Sequence, residues 1–293
     1  MFGFCFDAGA VKLGPGVAAM GVMGSGGSAL DYDFCRYGES RVRFRGPARD
    51  LDGDYVAFAG GTDTFGLFVP VPFPDLIEEE IGLACVNLGV VNAGPGLFLN
   101  DPAARASVRE AKATVLQMMG AQNLTNAHYS VHPRRNDRFL RASDALVSLF
   151  PEIDFTEFHY TRHMLSALEY VSPHRFRMVL HDLRSTWEQH MTRLIAAAGG
   201  PVILLRFATG ESPGETDDAL ARDPGLVDGP MVARLAQKAF ALVDVEDLRD
   251  RDTTWGKVHR AHEVAAAREC LGPEAHERAA EALVGPLRAA LAR

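Results

Sequence analysis

The sequence predicts an α/β protein with a doubly wound, mainly parallel sheet and a helical cap inserted into it. Three observations lead there. Five short apolar runs, at Tyr55 to Ala59, Ala84 to Leu88, Ala113 to Met119, Val202 to Phe207 and Phe240 to Val245, lack the polar alternation of half-exposed strands, so they read as strands covered on both faces. Segments with helical spacing separate them. The interval Asn123 to Gly200, between the third and fourth runs, is far longer than an ordinary connection, and it is rich in histidine, arginine and aromatic residues.

Taken in order, residues 1–30 are small and apolar, with Lys12 as the one base and with glycines and Pro15 breaking any helix, so they read as a leader and not as a signal peptide or membrane span. Asp31 to Asp54 follows as an irregular wrap carrying Arg36, Arg41, Arg43, Arg45 and Arg49, with turns at Gly46-Pro47 and Asp52-Gly53 and one strand at Arg41 to Phe44. The regular part begins at Tyr55. The first strand exits through Gly60 and Gly61 toward a helix starting at Phe65, and further helices are expected at Pro74 to Gly82, Ala103 to Lys112 and Val232 to Lys238. Within the long interval, Ser143 to Phe150, His159 to Val171 and Arg175 to Ala198 read as helices, the last starting after Ser172-Pro173. The expected division is a leader and wrap at 1–54, an α/β core at 55–126 and 200–293, and a helical cap at 127–199.

Composition narrows the function classes. With 293 residues and 47% hydrophobic content the chain can bury a sizeable core, and a net charge of −8 argues against nucleic acid or an anionic membrane as the main partner. The four cysteines, Cys5, Cys35, Cys85 and Cys270, are scattered without a CxxC pair or zinc-ligand spacing. Neither a disulfide framework nor a metal is expected, and a reducing, cytoplasmic setting fits best. No Walker-type phosphate loop or complete GxGxxG is present, so no cofactor is expected. Nothing in the sequence bears on oligomeric state.

The first three strands each end in a polar, glycine-containing loop: GGTDTFG from Gly60, NLGVVNAGP from Asn87 and GAQNLTN from Gly120. In a doubly wound sheet such loops face one crevice at the carboxyl ends of the strands. Thr62 then lies beside backbone donors able to hold an anion or a developing oxyanion, or else it caps the following helix. Gly61, Asp63, Asn92, Gln122, Asn123 and Asn126 line the pocket in the functional reading; in the structural one, Asp63 is a first-turn residue and the amides satisfy their own loops. His132, Arg134 and Arg135, in the run HPRRNDR, are placed to grip an anionic group at the crevice mouth, against the alternative of a solvated loop. His159 and His163 share a helix face but lack a third ligand, so no metal site is assigned.

These loops resemble, in order, the blocks of the SGNH/GDSL hydrolase superfamily, over Tyr55 to Asn126 and weakly over the terminal PEAHERAAEAL. The resemblance implies an SGNH-like, flavodoxin-like sheet, with Thr62 where the nucleophilic serine is usual and Gly61 where the aspartate before it is usual. It implies Asn92 at the oxyanion-donating glycine, Gln122 at the side-chain amide donor and Asn123 at the acid after it. The Asp-x-x-His expected before the last helix falls on Ala267 and Cys270, so a base must come from His259, His262 or His276, of which His276 joins Thr62, Asn92 and Gln122 in the expected catalytic set. The segment Asp31 to Asn136, with DYDFCRYGESR and HPRRNDRFLRAS, also looks like a bacterial family known only as a domain of unknown function. The resemblance to the superfamily implies a hydrolase or acyl or group transferase acting on a small or carbohydrate-like substrate, any anionic part of which Arg134 and Arg135 would fix. The alternative is a binding or regulatory module that keeps the crevice and has lost the base. A third class, group transfer from a phosphate or sulfate donor held by the arginines, would depend on such a donor.

Overall fold

The computed structural model describes residues 29–208, 220 and 224–293, so the expected leader lies almost wholly outside the described residues. Strand β1 (Tyr55–Ala59) is followed by α1 (Thr62–Phe65), α2 (Phe73–Ile81), β2 (Ala84–Asn87), α3 (Pro95–Asn100), α4 (Pro102–Glu110) and β3 (Ala113–Gln117). The long interval contains β4 (Tyr129–His132), β5 (Arg135–Ala142), α5 (Asp144–Leu149), α6 (Thr161–Val171) and α7 (Pro173–Ala197). The chain then completes the sheet with β6 (Val202–Ala208), α8 (Gly229–Ala236) and β7 (Ala241–Glu246), and ends in α9 (Val264–Arg268) and α10 (Pro273–Leu291).

Five strands form one parallel sheet in the order β2-β1-β3-β6-β7. Counting only its members, that is the order 2-1-3-4-5 of the flavodoxin-like sheet, whose crevice lies where the chain reverses direction beside β1 and β3. The alternating faces of the strands feed two cores. Val56, Phe58, Val115, Ile203 and Leu205 pack with Phe73 and Ile77 of α2 and with Leu283 and Leu287 of α10. Tyr55, Ala57, Leu116 and Leu204 face the other core. There α7 presents Phe176, Val179, Leu183, Trp187, Met191 and Leu194 at spacings of three and four, one buried helical stripe. The Trp187 indole donates to the Met119 carbonyl at 2.7 Å, which ties α7 to the carboxyl end of β3.

Several expectations change. The start of the long interval is an antiparallel hairpin, β4 with β5, whose bulged register runs from Tyr129 opposite Ala142 to His132 opposite Arg135. Its arginines masked the strand pattern, because only one face of the hairpin meets the core, through Tyr129, Val131 and Phe139. The expected strand at Arg41 to Phe44 reduces to a single bridge between Cys35 and Phe44. Helix α1 starts at Thr62 instead of Phe65, and α3 was not expected; Pro95 opens α3 at a position where a missing N–H costs nothing.

The wrap is held to the sheet by a buried arginine. Arg45, 4% exposed, donates to the carbonyls of Phe65, Gly66, Val69 and Pro70 at 2.6 to 3.2 Å, and its guanidinium lies 5.2 Å from the Tyr32 ring centre. It thereby fixes the segment that leaves α1.

Candidate functional site

The turn between β1 and α1 is built around Gln117, the last residue of β3. Its carboxamide oxygen accepts from the Gly61 amide at 2.9 Å, the Thr64 amide at 3.2 Å and the Thr64 hydroxyl at 2.7 Å, while its nitrogen donates to Asp63 at 2.9 Å. That arrangement requires Gly60, where a Cβ would collide with the Thr64 hydroxyl and the Gln117 carboxamide. The N-cap of α1 is Gly61 and Thr62 is its first helical residue, so the helix-cap reading of Thr62 drops out. Its side chain faces a cleft of about 320 Å³.

In the cleft the Thr62 hydroxyl accepts from the Asn92 amide at 3.0 Å and donates to the Asn92 side-chain oxygen at 3.4 Å. Asn92 sits in the left-handed region, with φ of 57°, a conformation that glycine and asparagine adopt with little strain. This explains how asparagine can stand where the resemblance expects glycine. The Asn92 side chain in turn donates to the Asp137 carboxylate at 3.3 Å. Burial pushes the Asp137 carboxyl above the usual aspartate range, with Arg138 the main opposing influence.

Hairpin and cap clamp the second loop in place. Asn136 accepts from the Gly94 amide at 2.8 Å, Asn123 donates to the Asn92 carbonyl at 3.0 Å, and the Thr161 hydroxyl at the start of α6 donates to Asn123 at 2.9 Å. At the far wall Arg249, in the loop after β7, pairs with Asp63 at 3.1 Å and with Asp247 at 3.6 Å. Asp63 is thus anchored on two sides and is more than a first-turn residue favoured by the helix dipole.

The structure brings Gly61, Thr62, Asp63, Asn92, Gln122 and Asn123 together along the cleft. Their jobs differ from the expected ones. The Gly61 amide is held by Gln117, and the Asn123 side chain braces Asn92 and Thr161. Asn126 lies outside the cleft lining and closes its own turn, accepting from the amides of His128 and Tyr129. His132 accepts from the amides of Arg134 and Arg135 at the hairpin turn, and these three residues line an adjacent groove.

His276 does not reach Thr62. It is fully buried in α10, its Nδ1 accepts from the Phe73 amide at 3.1 Å, it stacks on the Phe73 ring, and burial pushes its pKa down to about 3. It is a structural residue, and its placement as a base is corrected. His259 bonds to Thr254 and to the Arg260 carbonyl, and neither it nor His262 lines the cleft. At the positions of the missing Asp-x-x-His, Ala267 and Cys270 are buried, and desolvation pushes the Cys270 thiol up to about 12. No histidine lines the cleft among the described residues. Among them too, no three His, Cys, Asp or Glu side chains gather as metal ligands, and no helix is long and apolar enough to cross a membrane.

Sequence reading missed Gln117, Asp137, Thr161 and Arg249. Two of them were within reach, since Gln117 ends β3 and Arg249 follows β7, the positions from which a doubly wound sheet supplies its crevice. Asp137 and Thr161 depend on how hairpin and cap fold back, which no local pattern encodes.

Sheet order and cleft together define an α/β protein of the doubly wound class with a cleft at the carboxyl ends of β1 and β3. The chain belongs to the DUF6473 family, a domain of unknown function, whose family model matches residues 20–291. No curated protein matches. Among solved structures, the chain is similar to a carbohydrate esterase family 2 enzyme with a carbohydrate-binding domain from Corynascus thermopiles (Myceliophthora fergusii), at 10% identity and a TM-score of 0.44 over 85% of this chain and 70% of that one. It is also similar to an extracellular lipase from Streptomyces rimosus, at 13% identity and a TM-score of 0.42 over 81% and 99% of the two chains. A catalytic mutant of an acetylxylan esterase from Geobacillus stearothermophilus gives 14% identity and a TM-score of 0.40 over 80% and 94%. Likeness at this level carries nothing about chemistry.

Proposed function

We propose that the cleft hydrolyses or transfers an ester-type group on a small or carbohydrate-like, anionic substrate, with Thr62 as nucleophile and Asp137 as base. The observation that carries this reading is the Thr62 hydroxyl, cleft-facing at the carboxyl end of β1 and joined through Asn92 to the half-buried Asp137 carboxylate. In the proposed step a water in the cleft bridges Thr62 to Asp137 and carries the Thr62 proton to the carboxylate, the Thr62 oxygen attacks the carbonyl carbon, and the leaving alcohol takes the proton back. Water, or an acceptor hydroxyl, then releases the group from Thr62. The amides of Gly61 and Asn92 are already engaged, so the developing oxyanion falls to the Thr62 amide and the Gln122 side chain. The extra methyl of threonine stiffens the nucleophile and narrows the approach, consistent with a small group being transferred.

One observation favours a second reading, a binding or regulatory protein. No imidazole lines the cleft among the described residues, and general acid–base catalysis contributes about 10²–10⁴-fold in rate. Turnover of 4-nitrophenyl acetate and acetylated xylo-oligosaccharides by the wild type, Thr62→Ala and Asp137→Asn separates the two. The catalytic reading expects both substitutions to lower kcat at least about 100-fold with folding retained. It also expects an acid limb in the wild-type pH profile above the usual aspartate range, absent from Asp137→Asn, because Asp137 must be ionised to act. Wild-type protein without turnover, or variants as active as wild type, would leave the binding reading in place.

A further inference from the structure

Beside the Thr62 cleft, and sharing Asn92 and Asp137 with it, lies a second groove of about 660 Å³. The wrap supplies Arg36, Arg41 and Arg43 to one wall, and the hairpin supplies Arg134, Arg135 and Arg138 to the other. None of these six forms an ion pair among the described residues, whereas arginines elsewhere do: Arg49 with Glu78, Arg206 with Asp244, Arg234 with Glu188, Arg249 with Asp63. Among the described residues Asp137 is the single acid in the lining. Six guanidiniums around one groove, in a chain of net charge −8, repel one another with Asp137 and screening solvent as the counterweight, and a multiply charged anion would relieve that repulsion.

The groove also constrains the shape of that ligand. Its volume falls in the range of ligand pockets, about 300–1,000 Å³, and not of an extended track. Of the phenylalanines in the lining, Phe65 and Phe139 are buried, and the exposed Phe34 is covered by the Arg43 guanidinium at 4.8 Å. Among the described residues no row of open phenylalanine rings remains on which successive nucleobases could stack. Arg138 is likewise laid over the Tyr160 ring at 4.3 Å, which fixes the plane of its fork. What the groove offers is six guanidiniums around a short trough, two of them fixed by ring contacts, suited to several oxyanions spaced along a compact scaffold.

We propose that this groove binds a short acidic oligosaccharide, bearing sulfate or carboxylate groups on successive sugar units, and feeds one end of it to Thr62. The sugar scaffold and the delivery to Thr62 rest on the substrate class proposed above; the capture of several spaced oxyanions does not. Isothermal titration of the Thr62→Ala protein tests it with four probes: a heparin-derived tetrasaccharide, tetragalacturonic acid, neutral xylotetraose and the oligonucleotide dT8. The expected result is binding of the sulfated or the uronic tetramer, weakened by salt, with whichever binds better identifying the oxyanion. Xylotetraose and dT8 should bind at least tenfold more weakly. Replacing Arg134 and Arg135 together, or Arg41 and Arg43 together, by serine should weaken the acidic tetramer at least tenfold, with the thermal melt unchanged for the first pair, whose side chains are exposed, and lowered by about 2 °C at most for the second, which loses the Arg43–Phe34 contact. Binding of xylotetraose equal to that of the acidic probes, tighter binding of dT8, no binding of either acidic tetramer, or charge-removal variants that bind as well as the parent would each overturn the proposal. Acidic-tetramer binding by a wild type that turns over no ester would uphold the groove and sink the catalytic reading. Ester turnover with an inert groove would do the reverse.

Discussion

Replacing Gln117 by leucine should unfasten the turn that carries Thr62. Leucine has nearly the same volume, so no large cavity opens, and the effect falls on hydrogen bonds. Three donors lose their acceptor, the amides of Gly61 and Thr64 and the Thr64 hydroxyl, and Asp63 loses a donor. The hydroxyl can rotate to another partner, but the two amides cannot, and each buried unsatisfied group costs about 1–3 kcal/mol. Burying leucine in place of a carboxamide offsets part of this. The groups lie in one network and their costs do not simply add, so the expected net loss is about 2–4 kcal/mol. At roughly 2 °C per kcal/mol for a chain of this size, calorimetry should record a fall in Tm of about 4–8 °C. Gln117→Glu adds a sign. It keeps the acceptor but sets a second carboxylate against Asp63, which raises the pKa of one of the pair in the folded state. Stability is then retained at low pH and lost as the pH rises through that raised value. A Gln117→Leu protein within about 1 kcal/mol of wild type would refute the hub role, since that is the floor for even one unsatisfied amide.

Two further outcomes follow from buried groups. His276 is held neutral, its pKa lowered by burial from the ordinary 6.5 to about 3, so below pH 6.5 the unfolded chain binds a proton that the folded one does not. Stability should therefore fall with acidification, the slope from this residue alone growing from about 0.7 kcal/mol per pH unit at pH 6.5 toward about 1.4 near pH 5, and His276→Gln should remove that slope in urea unfolding between pH 6.5 and 5 while leaving any esterase activity intact; an unchanged slope would contradict the buried, neutral assignment. Arg45→Met removes the donor to four carbonyls and should lower the urea midpoint by the equivalent of about 2–4 kcal/mol, with Arg45→Lys recovering less than half because an ammonium cannot span the same carbonyls. Full rescue by lysine would show that charge, and not the fork, is what the site uses.

Much of the fold was legible because parallel strands leave a strong local mark. Tyr55–Ala59 is buried on both faces and flanked by glycines, and an unbroken apolar run of that kind admits few other readings. The crevice loops were legible for a related reason, since polar residues directly after such strands have one place to go. The hairpin was not, because β4 and β5 bury one face only and carry arginines on the other. His276 misled in the opposite direction. Its chemistry suits a base, while its place on the buried stripe of α10, between Ala275 and Ala279, directs it into the core.

By itself, the sequence determined the α/β class, the strand succession and the convergence of Gly61, Thr62 and Asn92 on one crevice, because these follow from periodicity and from the chirality and order of parallel sheets. Tertiary structure alone decided which charged groups meet there. Asp137 arrives on the hairpin and Arg249 from beyond β7, while the six arginines of the adjacent groove, none in an ion pair among the described residues, come from two segments about a hundred residues apart. Charges of this kind are solvated in the unfolded chain and carry no periodic signature, so only the packing of one segment over another brings them to a common site.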